Sequence, residues 1–400
     1  MIWDNPGHQL DIQGNKYLKI KNIYLFGFDE VAKKMYDFLK WLKIDDDFNI
    51  LFIWDKTEHE DVVVPCIFCG KQVVIYDEHN HPDQIVNNKE NSIVVFKSRS
   101  QTRRLDRIRK MLGDDTSIFF MEPSIIAVDN FIQSFICIYM MYKYNKLVSH
   151  WTNYLITSKC NLNCEHCLNF NNYLKKKEDG SLDAFREHFD TLFGKFDYLY
   201  SLHFTGGETQ LAKDFCKKIE ILEQYKDRIF EFFVITNGTI IPPDENLHAL
   251  KAMNGWVLID DYSDSVKATK IDQITEKLNS FGIKYCVSKA QFWYDLSVDC
   301  TNYSTQTPKE LELHKDACNR YLHEFADGNI YACCYQEYAH RANKGGIDED
   351  DYIRITEKSK MEILEFRQGY SSKGYTSLCP KCRGLGELAV KVPAAIQTKR

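Results

Sequence analysis

Strand-sized apolar segments alternate with helical segments along most of this 400-residue chain. In residues 21–125, stretches with helical spacing at residues 29–42 and 101–112 separate the apolar segments. This rhythm is typical of an α/β domain with a parallel sheet. The strands predicted in this first run are residues 22–27, 49–54, 72–76, 92–96 and 117–121. The run therefore predicts a doubly wound, Rossmann-like domain over residues 1–128.

The turn after the first predicted strand lacks a dinucleotide fingerprint. It reads Gly27-Phe-Asp-Glu-Val-Ala, with one glycine where the phosphate-binding pattern needs three. Phe28 and Asp29 would also crowd and repel a pyrophosphate. We therefore expect a domain that holds a substrate or docks a partner rather than NAD. Residues 129–150 follow as a helical connector, and the apolar run at residues 130–141 predicts a buried or linking helix too short to span a bilayer.

A second alternation begins at about residue 151. Its predicted strands lie near Tyr154 and at residues 199–204, 232–235, 256–259 and 284–288, with helices such as 213–225 and 271–281 between them. This pattern predicts a partial β/α, TIM-like barrel over residues 151–300, whose active site belongs at the carboxyl ends of the strands. In residues 301–400 cysteines return and turn residues become frequent, which predicts a small cysteine-rich extension.

Charge and cysteine content narrow the class of protein. The net charge is −6 and the pI is near 6.1, so no basic surface for nucleic acid is expected. The first residues have neither the basic nor the apolar region of a signal peptide. These features favour a cytoplasmic protein without a membrane span. In a reducing cytosol the 14 cysteines are poor disulfide candidates, so clustered ones are expected to bind metal or take part in catalysis.

Three cysteines follow the first predicted strand of the second run, in the sequence Ser158-Lys-Cys-Asn-Leu-Asn-Cys-Glu-His-Cys-Leu-Asn-Phe170. A structural zinc site would need four ligands, and His166 is the only nitrogen ligand nearby. Soft thiolates also suit iron–sulfur clusters. A [4Fe–4S] cluster held by Cys160, Cys164 and Cys167 would leave one iron open to an exogenous ligand.

This C-x3-C-x2-C spacing resembles the radical SAM superfamily, and the resemblance extends over residues 151 to about 390. Phe204-Thr-Gly-Gly-Glu208 looks like the superfamily's GGE motif, and Ile235-Thr-Asn-Gly238 looks like its TNG. The resemblance implies that the open iron binds the amino and carboxylate groups of S-adenosylmethionine. One-electron reduction then yields a 5′-deoxyadenosyl radical that abstracts a hydrogen atom from the substrate. It also implies a flavodoxin- or ferredoxin-type electron donor.

The same resemblance assigns residues to S-adenosylmethionine. His166 stands where the superfamily usually carries an aromatic residue against the adenine. The turn formed by Gly206, Gly207 and Glu208 is expected to take the ammonium of the methionine moiety, because glycines permit close approach and a carboxylate attracts the charge. The remaining expected cofactor contacts are Asn237 near the ribose, Asp260 and Ser288.

A second cysteine set begins with the pattern C-x9-G-x4-C from Cys318 to Cys333 and continues with Cys379-Pro-Lys-Cys382. Spacing alone leaves a structural zinc ribbon and a fully ligated cluster equally open. The set resembles the auxiliary-cluster extension of radical SAM enzymes. No cysteine follows Cys382, so it looks like the shorter twitch form, with one auxiliary [4Fe–4S] cluster, rather than the longer SPASM form. The neighbouring Cys334 leaves the second ligand ambiguous.

Two further stretches concern the substrate. Ile259-Asp-Asp-Tyr-Ser263 and Phe292-Trp-Tyr-Asp-Leu296 resemble, more loosely, stretches of radical SAM proteins from carbohydrate gene clusters. At strand ends, Asp261, Tyr262 and Asp295 could hydrogen-bond sugar hydroxyls or take a proton, although ordinary loop polarity explains each equally well. Cys286 could return a hydrogen atom in an epimerase, or it could simply fill the core.

These features together predict a radical SAM oxidoreductase or epimerase that acts on a carbohydrate or another small molecule. Modification of a peptide side chain is the alternative among enzymes, and a zinc- or iron–sulfur-binding interaction protein is the alternative outside them. Two remaining features are expected to be structural. His203 is predicted to be a satisfied core histidine, and Cys66 and Cys69, with His79 and His81 downstream, are predicted to be filler rather than a metal site.

Overall fold

The computed structural model describes residues 1–27, 29–55, 65–76, 91–96, 117–120, 131–296, 306–318, 323–385 and 389–398. The chain forms two compact units. One is Leu10–Asn145, and the other combines Met1–Gln9 with Lys146–Arg400. The second unit contains both the predicted barrel and the predicted cysteine-rich extension.

The first unit is built on a six-stranded sheet in the order β3-β4-β2-β1-β5-β6. Its strands are β1 (Asn22–Phe26), β2 (Asn49–Asp55), β3 (Ile67–Phe68), β4 (Lys71–Tyr76), β5 (Ser92–Phe96) and β6 (Ser117–Phe120). All neighbours are parallel except β3, which pairs antiparallel with β4. These strands confirm the predicted ones, and the domain's assignment as Rossmann-like stays a prediction. The predicted helix at residues 101–112, as well as His79 and His81, lie outside the described residues.

Helices of the first unit are α1 (Asp11–Tyr17), α2 (Glu30–Trp41) and α3 (Cys137–Tyr144), the last preceded by a π-helical turn at Phe131–Ile136. Asp29 caps α2, since its carboxylate accepts the N–H groups of Val31 at 3.0 Å and Ala32 at 3.1 Å. The N-terminus of α2, where a dinucleotide phosphate would bind, is therefore occupied by the Asp29 carboxylate. The π-helical turn and the first residues of α3 are largely buried, which confirms the predicted buried helix. In the described part of the chain, no helix is long and apolar enough to cross a membrane.

The second unit is centred on five parallel strands that follow one another in sequence order across the sheet. They are β7 (Val148–Thr157), β8 (Tyr198–Gly206), β9 (Ile229–Thr236), β10 (Trp256–Asp261) and β11 (Tyr285–Lys289). The helices between them are α4 (Leu182–Lys195), α5 (Phe215–Glu223), α6 (Asp244–Ala252) and α7 (Ile271–Phe281). This parallel, sequential order agrees with a partial TIM-like barrel. Strand β7 begins at Val148, inside the stretch that was predicted to be a connector.

One face of this sheet packs against its helices through aromatic side chains. Phe185 and Phe189, one turn apart on α4, have ring centroids 4.6 Å apart and contact Tyr154 of β7 and Phe204 of β8. The residues between these, at alternate positions of each strand, lie on the other face of the sheet. There His203 is buried and stacks on Phe233, with ring centroids 4.9 Å apart.

The prediction that His203 is a satisfied core histidine was wrong in one respect. Its Nδ1 atom has no hydrogen-bond partner among the described residues, and burial lowers the pKa of the ring to about 3. The ring is therefore a neutral, stacked side chain.

The remaining residues of the second unit form small antiparallel sheets and short helices. The strands are β12 (Phe292–Asp295), β13 (Glu324–Ala326), β14 (Asn329–Tyr331), β15 (Tyr352–Arg354) and β16 (Val390–Pro393), and the helices are α8 (Pro308–Ala317), α9 (Cys334–Arg341) and α10 (Lys360–Arg367). Strands β13, β14 and β15 form one sheet, and β12 pairs with β16. The predicted hairpin with a glycine turn is present, with Gly328 at φ +72° between β13 and β14.

Candidate active site

The three clustered cysteines lie on the loop that follows β7. Each sulfur atom accepts at least one N–H hydrogen bond. The donors are the Leu162 backbone for Cys160 at 3.4 Å, the Gln397 side-chain amide for Cys164 at 3.1 Å, and the Asn169 and Asn171 backbones for Cys167. Burial raises the pKa of the Cys160 thiol to about 11 and that of the Cys164 thiol to about 12, and the neighbouring sulfurs add to the effect. Metal binding at these thiols must therefore release protons.

The donor set fits the [4Fe–4S] cluster implied by the sequence. Three soft thiolates stand on one loop, and N–H donors face them, as is usual around cluster sulfurs. Among the described residues, no group of three or more His, Cys, Asp or Glu side chains could hold a single metal ion. A [4Fe–4S] cluster binds each thiolate through a different iron, so its ligands do not have to converge on one point.

The Gly206–Glu208 turn packs directly on the cysteine loop. Gly207 donates its N–H to Thr157 O at 2.9 Å, and Glu208 donates its N–H to Lys159 O at 2.7 Å. A Cβ atom on Gly207 would lie 2.2 Å from Lys159 O, and one on Gly206 would lie 2.4 Å from Thr157 O. The two glycines thus permit a close approach to the protein's own backbone, and the expected contact of this turn with S-adenosylmethionine stays a prediction.

The Glu208 carboxylate is buried and joins the ends of β8 and β9. It accepts hydrogen bonds from Thr236 Oγ1 at 2.8 Å, from the Asn237 backbone at 2.8 Å and from the Gln210 backbone at 3.0 Å. Burial raises the pKa of this carboxyl to about 6, although the hydrogen bonds oppose the shift. Glu208 therefore holds two site turns in register and keeps part of its accepting capacity.

Asn237 connects the turn after β9 to the cysteine loop. Its Nδ2 atom lies 3.9 Å from Cys160 Sγ and donates to Asn161 Oδ1 at 3.1 Å. Its Oδ1 atom accepts from the Thr239 backbone at 3.1 Å. The three motifs at the ends of β7, β8 and β9 therefore form one contiguous group.

Asp260 and Tyr262, at the end of β10, form a hydrogen-bonded pair beside this group. The Tyr262 hydroxyl donates to Asp260 Oδ2 at 3.0 Å, and burial raises the pKa of Asp260 to about 6. Tyr262 packs in an apolar cluster with Cys164 and Cys167. Its own pKa is raised well above the usual value by burial and by the Asp260 charge, so the phenol stays protonated. Ser288 lies in register with Asp260 on the neighbouring strand.

Asp261 and Cys286 lie on opposite faces of the sheet. Asp261 alternates with Asp260 along β10, accepts the Ser263 N–H at 2.8 Å and lies 3.5 Å from Lys289 Nζ. Burial opposes ionisation of Asp261, but these partners lower its pKa overall. Cys286 is exposed on β11, the edge strand, on the same face as Ser288.

His166 is paired rather than free. It has φ +52°, and its Nδ1 atom lies 3.2 Å from Asp295 Oδ1 on β12. Asp295 Oδ2 also lies 3.7 Å from Arg383 Nη1. The structure thus joins two residues that the sequence placed in separate roles, and the stacking of His166 on an adenine stays a prediction.

The second cysteine set surrounds one buried lysine. Lys315 donates to Ala332 O at 2.9 Å, and nearby sulfurs raise its pKa although burial opposes the shift. The sulfurs that act on Lys315 are those of Cys333, Cys318, Cys379 and Cys334. The N–H donors to this set are Leu385 for Cys318 at 3.2 Å, Thr376 for Cys379 at 3.4 Å, Gly384 for Cys382 at 3.3 Å, and Tyr335 and Gln336 for Cys333. These sulfurs therefore face cationic and N–H groups suited to bound thiolates.

The structure also distinguishes the adjacent cysteines. Cys333 stands at the N-terminal cap of α9, where a hydrogen bond from Cys334 and the charge of Lys315 lower its pKa to about 6. Cys334 is buried in an apolar cluster with Phe170 and Leu378, and its pKa is raised. Cys333 is thus the better thiolate of the two.

Two residues that lie beside the site sulfurs belong to no recognisable sequence motif. Gln397 reaches Cys164 from 233 positions away, and Lys315 lies in an ordinary amphipathic helix. Only the folded chain places either residue beside sulfur.

Comparison with known proteins agrees with the geometry. Residues 154–285 match the family model described as the Radical SAM superfamily. No curated protein matches the chain.

Several solved structures are similar at low identity. One is described as BtrN in complex with AdoMet and 2-DOIA, with 16% identity, 59% of this chain and 93% of that chain covered, and a TM-score of 0.40. Another is native anSMEcpe with bound AdoMet, at 14% identity, 57% and 81% coverage and a TM-score of 0.37. A third is Streptococcus suis SuiB bound to S-adenosylmethionine, at 14% identity, 47% and 44% coverage and a TM-score of 0.29.

The matched residues include the cysteine loop, the Gly206–Glu208 turn and Asn237, which the fold brings into contact. Residues 154–285, about a third of the chain, therefore match the Radical SAM superfamily.

Proposed function

We propose that the protein dehydrogenates a hydroxyl-bearing carbon of a carbohydrate or a related small molecule. Cys160, Cys164 and Cys167 would hold the cluster that binds S-adenosylmethionine, and Cys318, Cys333, Cys379 and Cys382 would hold an auxiliary [4Fe–4S] cluster. When bound, the first cluster and S-adenosylmethionine supply a 5′-deoxyadenosyl radical, which removes one hydrogen atom from the substrate, and the auxiliary cluster accepts the remaining electron. A flavodoxin- or ferredoxin-type protein would provide the reducing electron.

The observation that carries this proposal is the Asp260–Tyr262 pair next to the cysteine loop. Oxidation of an alcohol carbon must also release the hydroxyl proton, which needs a base near the reacting carbon. Asp260 has a pKa of about 6, so it is ionised at neutral pH yet remains a proton acceptor. Tyr262, fixed between Asp260 and the cysteine loop, orients that carboxylate.

The sequence suggested Asp261 or Tyr262 as the proton acceptor and placed Asp260 among the cofactor contacts. We assign the base to Asp260 instead. Asp261 has a lowered pKa and the Lys289 ammonium beside it, so it is a weaker base than Asp260. The two aspartates are adjacent in sequence but differ in partner and in strand face. They therefore provide a matched pair of variants.

The test uses anaerobically reconstituted protein, S-adenosylmethionine and a panel of aminocyclitols, sugars and nucleotide sugars in deuterated water. A dehydrogenase gives a product lighter by two hydrogens, without deuterium at the reacting carbon. Asp260→Asn should lose this product while it still forms 5′-deoxyadenosine, and Asp261→Asn should keep the product. Full product formation by Asp260→Asn would contradict the assignment.

A second candidate activity is epimerisation, which the exposed Cys286 favours. Cys286 shares a face of β11 with Ser288, which is in register with Asp260, so its thiol could return a hydrogen atom at the barrel interior. An epimerase would place one deuterium at the inverted carbon, and Cys286→Ala would abolish that incorporation. Modification only of supplied peptides would instead support the peptide-modifying alternative.

A further inference from the structure

Residues 390–398, here called the strap, cover the cysteine loop. The strap begins as β16, which pairs antiparallel with β12. It then runs along the loop, where Glu165 donates its N–H to Ile396 O at 2.7 Å and Thr398 donates its N–H to Asn163 O at 2.8 Å. The strap is thus bonded to the backbone on both sides of Cys164.

Gln397 is the side chain of the strap that reaches the sulfur. Its Oε1 atom accepts the Asn163 N–H at 2.9 Å, and its Nε2 atom donates to Ala395 O at 2.7 Å and to Cys164 Sγ at 3.1 Å. The donor at Asn163 and the acceptor at Ala395 fix which end of the amide faces which way. The N–H group must therefore point at the sulfur.

Ala395 holds the strap in this position. It is fully buried against Cys164 and Val266, and its φ is +57°, a left-handed conformation that alanine adopts only when its surroundings require it. The strap therefore has one defined path over the loop.

We propose that Gln397 is a positioning residue that tunes the cluster on Cys160, Cys164 and Cys167. The inference rests on the proposed cluster and adds to it a role that no motif assigns. An N–H group donated to a ligating sulfur withdraws electron density and stabilises the reduced cluster, so it raises the reduction potential. Cys164 is buried and packs against Ala395 of the strap.

The test is a redox titration of the reconstituted full chain. The titration is monitored by electron paramagnetic resonance, through the signal that changes when S-adenosylmethionine is added. Gln397→Met keeps the side-chain length, adds no charge and removes the N–H donor. It should shift the midpoint potential of this signal to a more negative value. Thr398→Val is the matched control, because it removes a side-chain hydroxyl that bonds the Asn163 carbonyl and the Asn163 side-chain amide, whereas the hydrogen bond to Cys164 Sγ comes from Gln397. Its potential should equal that of the parent protein.

Iron content is measured on the same samples. Selective loss of the cluster on the cysteine loop in Gln397→Met, with the other cluster and the circular dichroism unchanged, would also support the positioning role. An unchanged potential at full iron content would overturn it. Failure of the proposed function itself is separately visible, because the parent protein would then show no signal that responds to S-adenosylmethionine.

Discussion

Replacing Gly207 by alanine is the sharpest test of how the site turns are held together. The added methyl group would stand 2.2 Å from Lys159 O and 2.5 Å from Asn171 Nδ2. Because the nearest atom is backbone, the two turns must move apart by about 1 Å to reach ordinary contact. That movement weakens two backbone hydrogen bonds, Gly207 N–H to Thr157 O and Glu208 N–H to Lys159 O.

The expected loss can be worked from these contacts. Two hydrogen bonds contribute about 1 kcal/mol each, and groups left buried without partners cost more, so the free energy of unfolding should fall by about 3 kcal/mol. For a unit of this size, the melting temperature should fall by about 6–12 °C. Differential scanning calorimetry on cluster-free protein measures the change without interference from metal.

Gly180→Ala is the control for this substitution. A Cβ on Gly180 would meet no atom of the described residues within 4 Å, and the glycine lies in the same unit. Its melting temperature should stay within about 2 °C of the parent, as for most surface changes. If Gly207→Ala melted at the same temperature as Gly180→Ala, the close approach of the two turns would not be essential to the fold.

Two further predictions concern Asp260 and the second cysteine set. The folded-state pKa of Asp260 is about 6, above its ordinary value, so the stability contributed by its protonated carboxyl is lost as pH rises from about 4 to about 6. Asp260→Asn should therefore stabilise cluster-free protein more at pH 7.5 than at pH 5, by a difference of about 1–2 kcal/mol in the free energy of unfolding. Urea titrations that gave the same effect at both pH values would refute this prediction. Cys333→Ala should lower the iron content by about one cluster whereas Cys334→Ala should not, and the reverse result by iron and sulfide quantitation would exchange their roles.

The strand pattern and the cysteine loop were predictable because both are local. Apolar segments set the strands, and parallel strands place their carboxyl ends at one edge of the sheet. Glu208, Asn237 and Cys160 therefore lie close together, because each follows one of three neighbouring parallel strands. Local patterns also predicted the glycine hairpin before Cys333.

Contacts that depend on neighbouring strands could not be predicted in the same way. Asp260 and Asp261 are the same residue type in adjacent positions, and only their faces and partners distinguish them. The glycines of the turn after β8 indicated a close approach, but sequence does not identify the approaching group as Lys159 O. Gln397 contacts Cys164 from a distant segment, and the stacking of His203 on Phe233 depends on packing that no periodicity describes.

Formation of 5′-deoxyadenosine by cysteine variants tests the central claim most directly. The claim is that the loop cysteines hold the cluster that cleaves S-adenosylmethionine and that the second set serves a later step. With dithionite and S-adenosylmethionine, the parent protein should form 5′-deoxyadenosine and methionine, Cys164→Ala should form neither, and Cys379→Ala should still form both. Cleavage that persists in Cys164→Ala, or that disappears only in Cys379→Ala, would contradict the account.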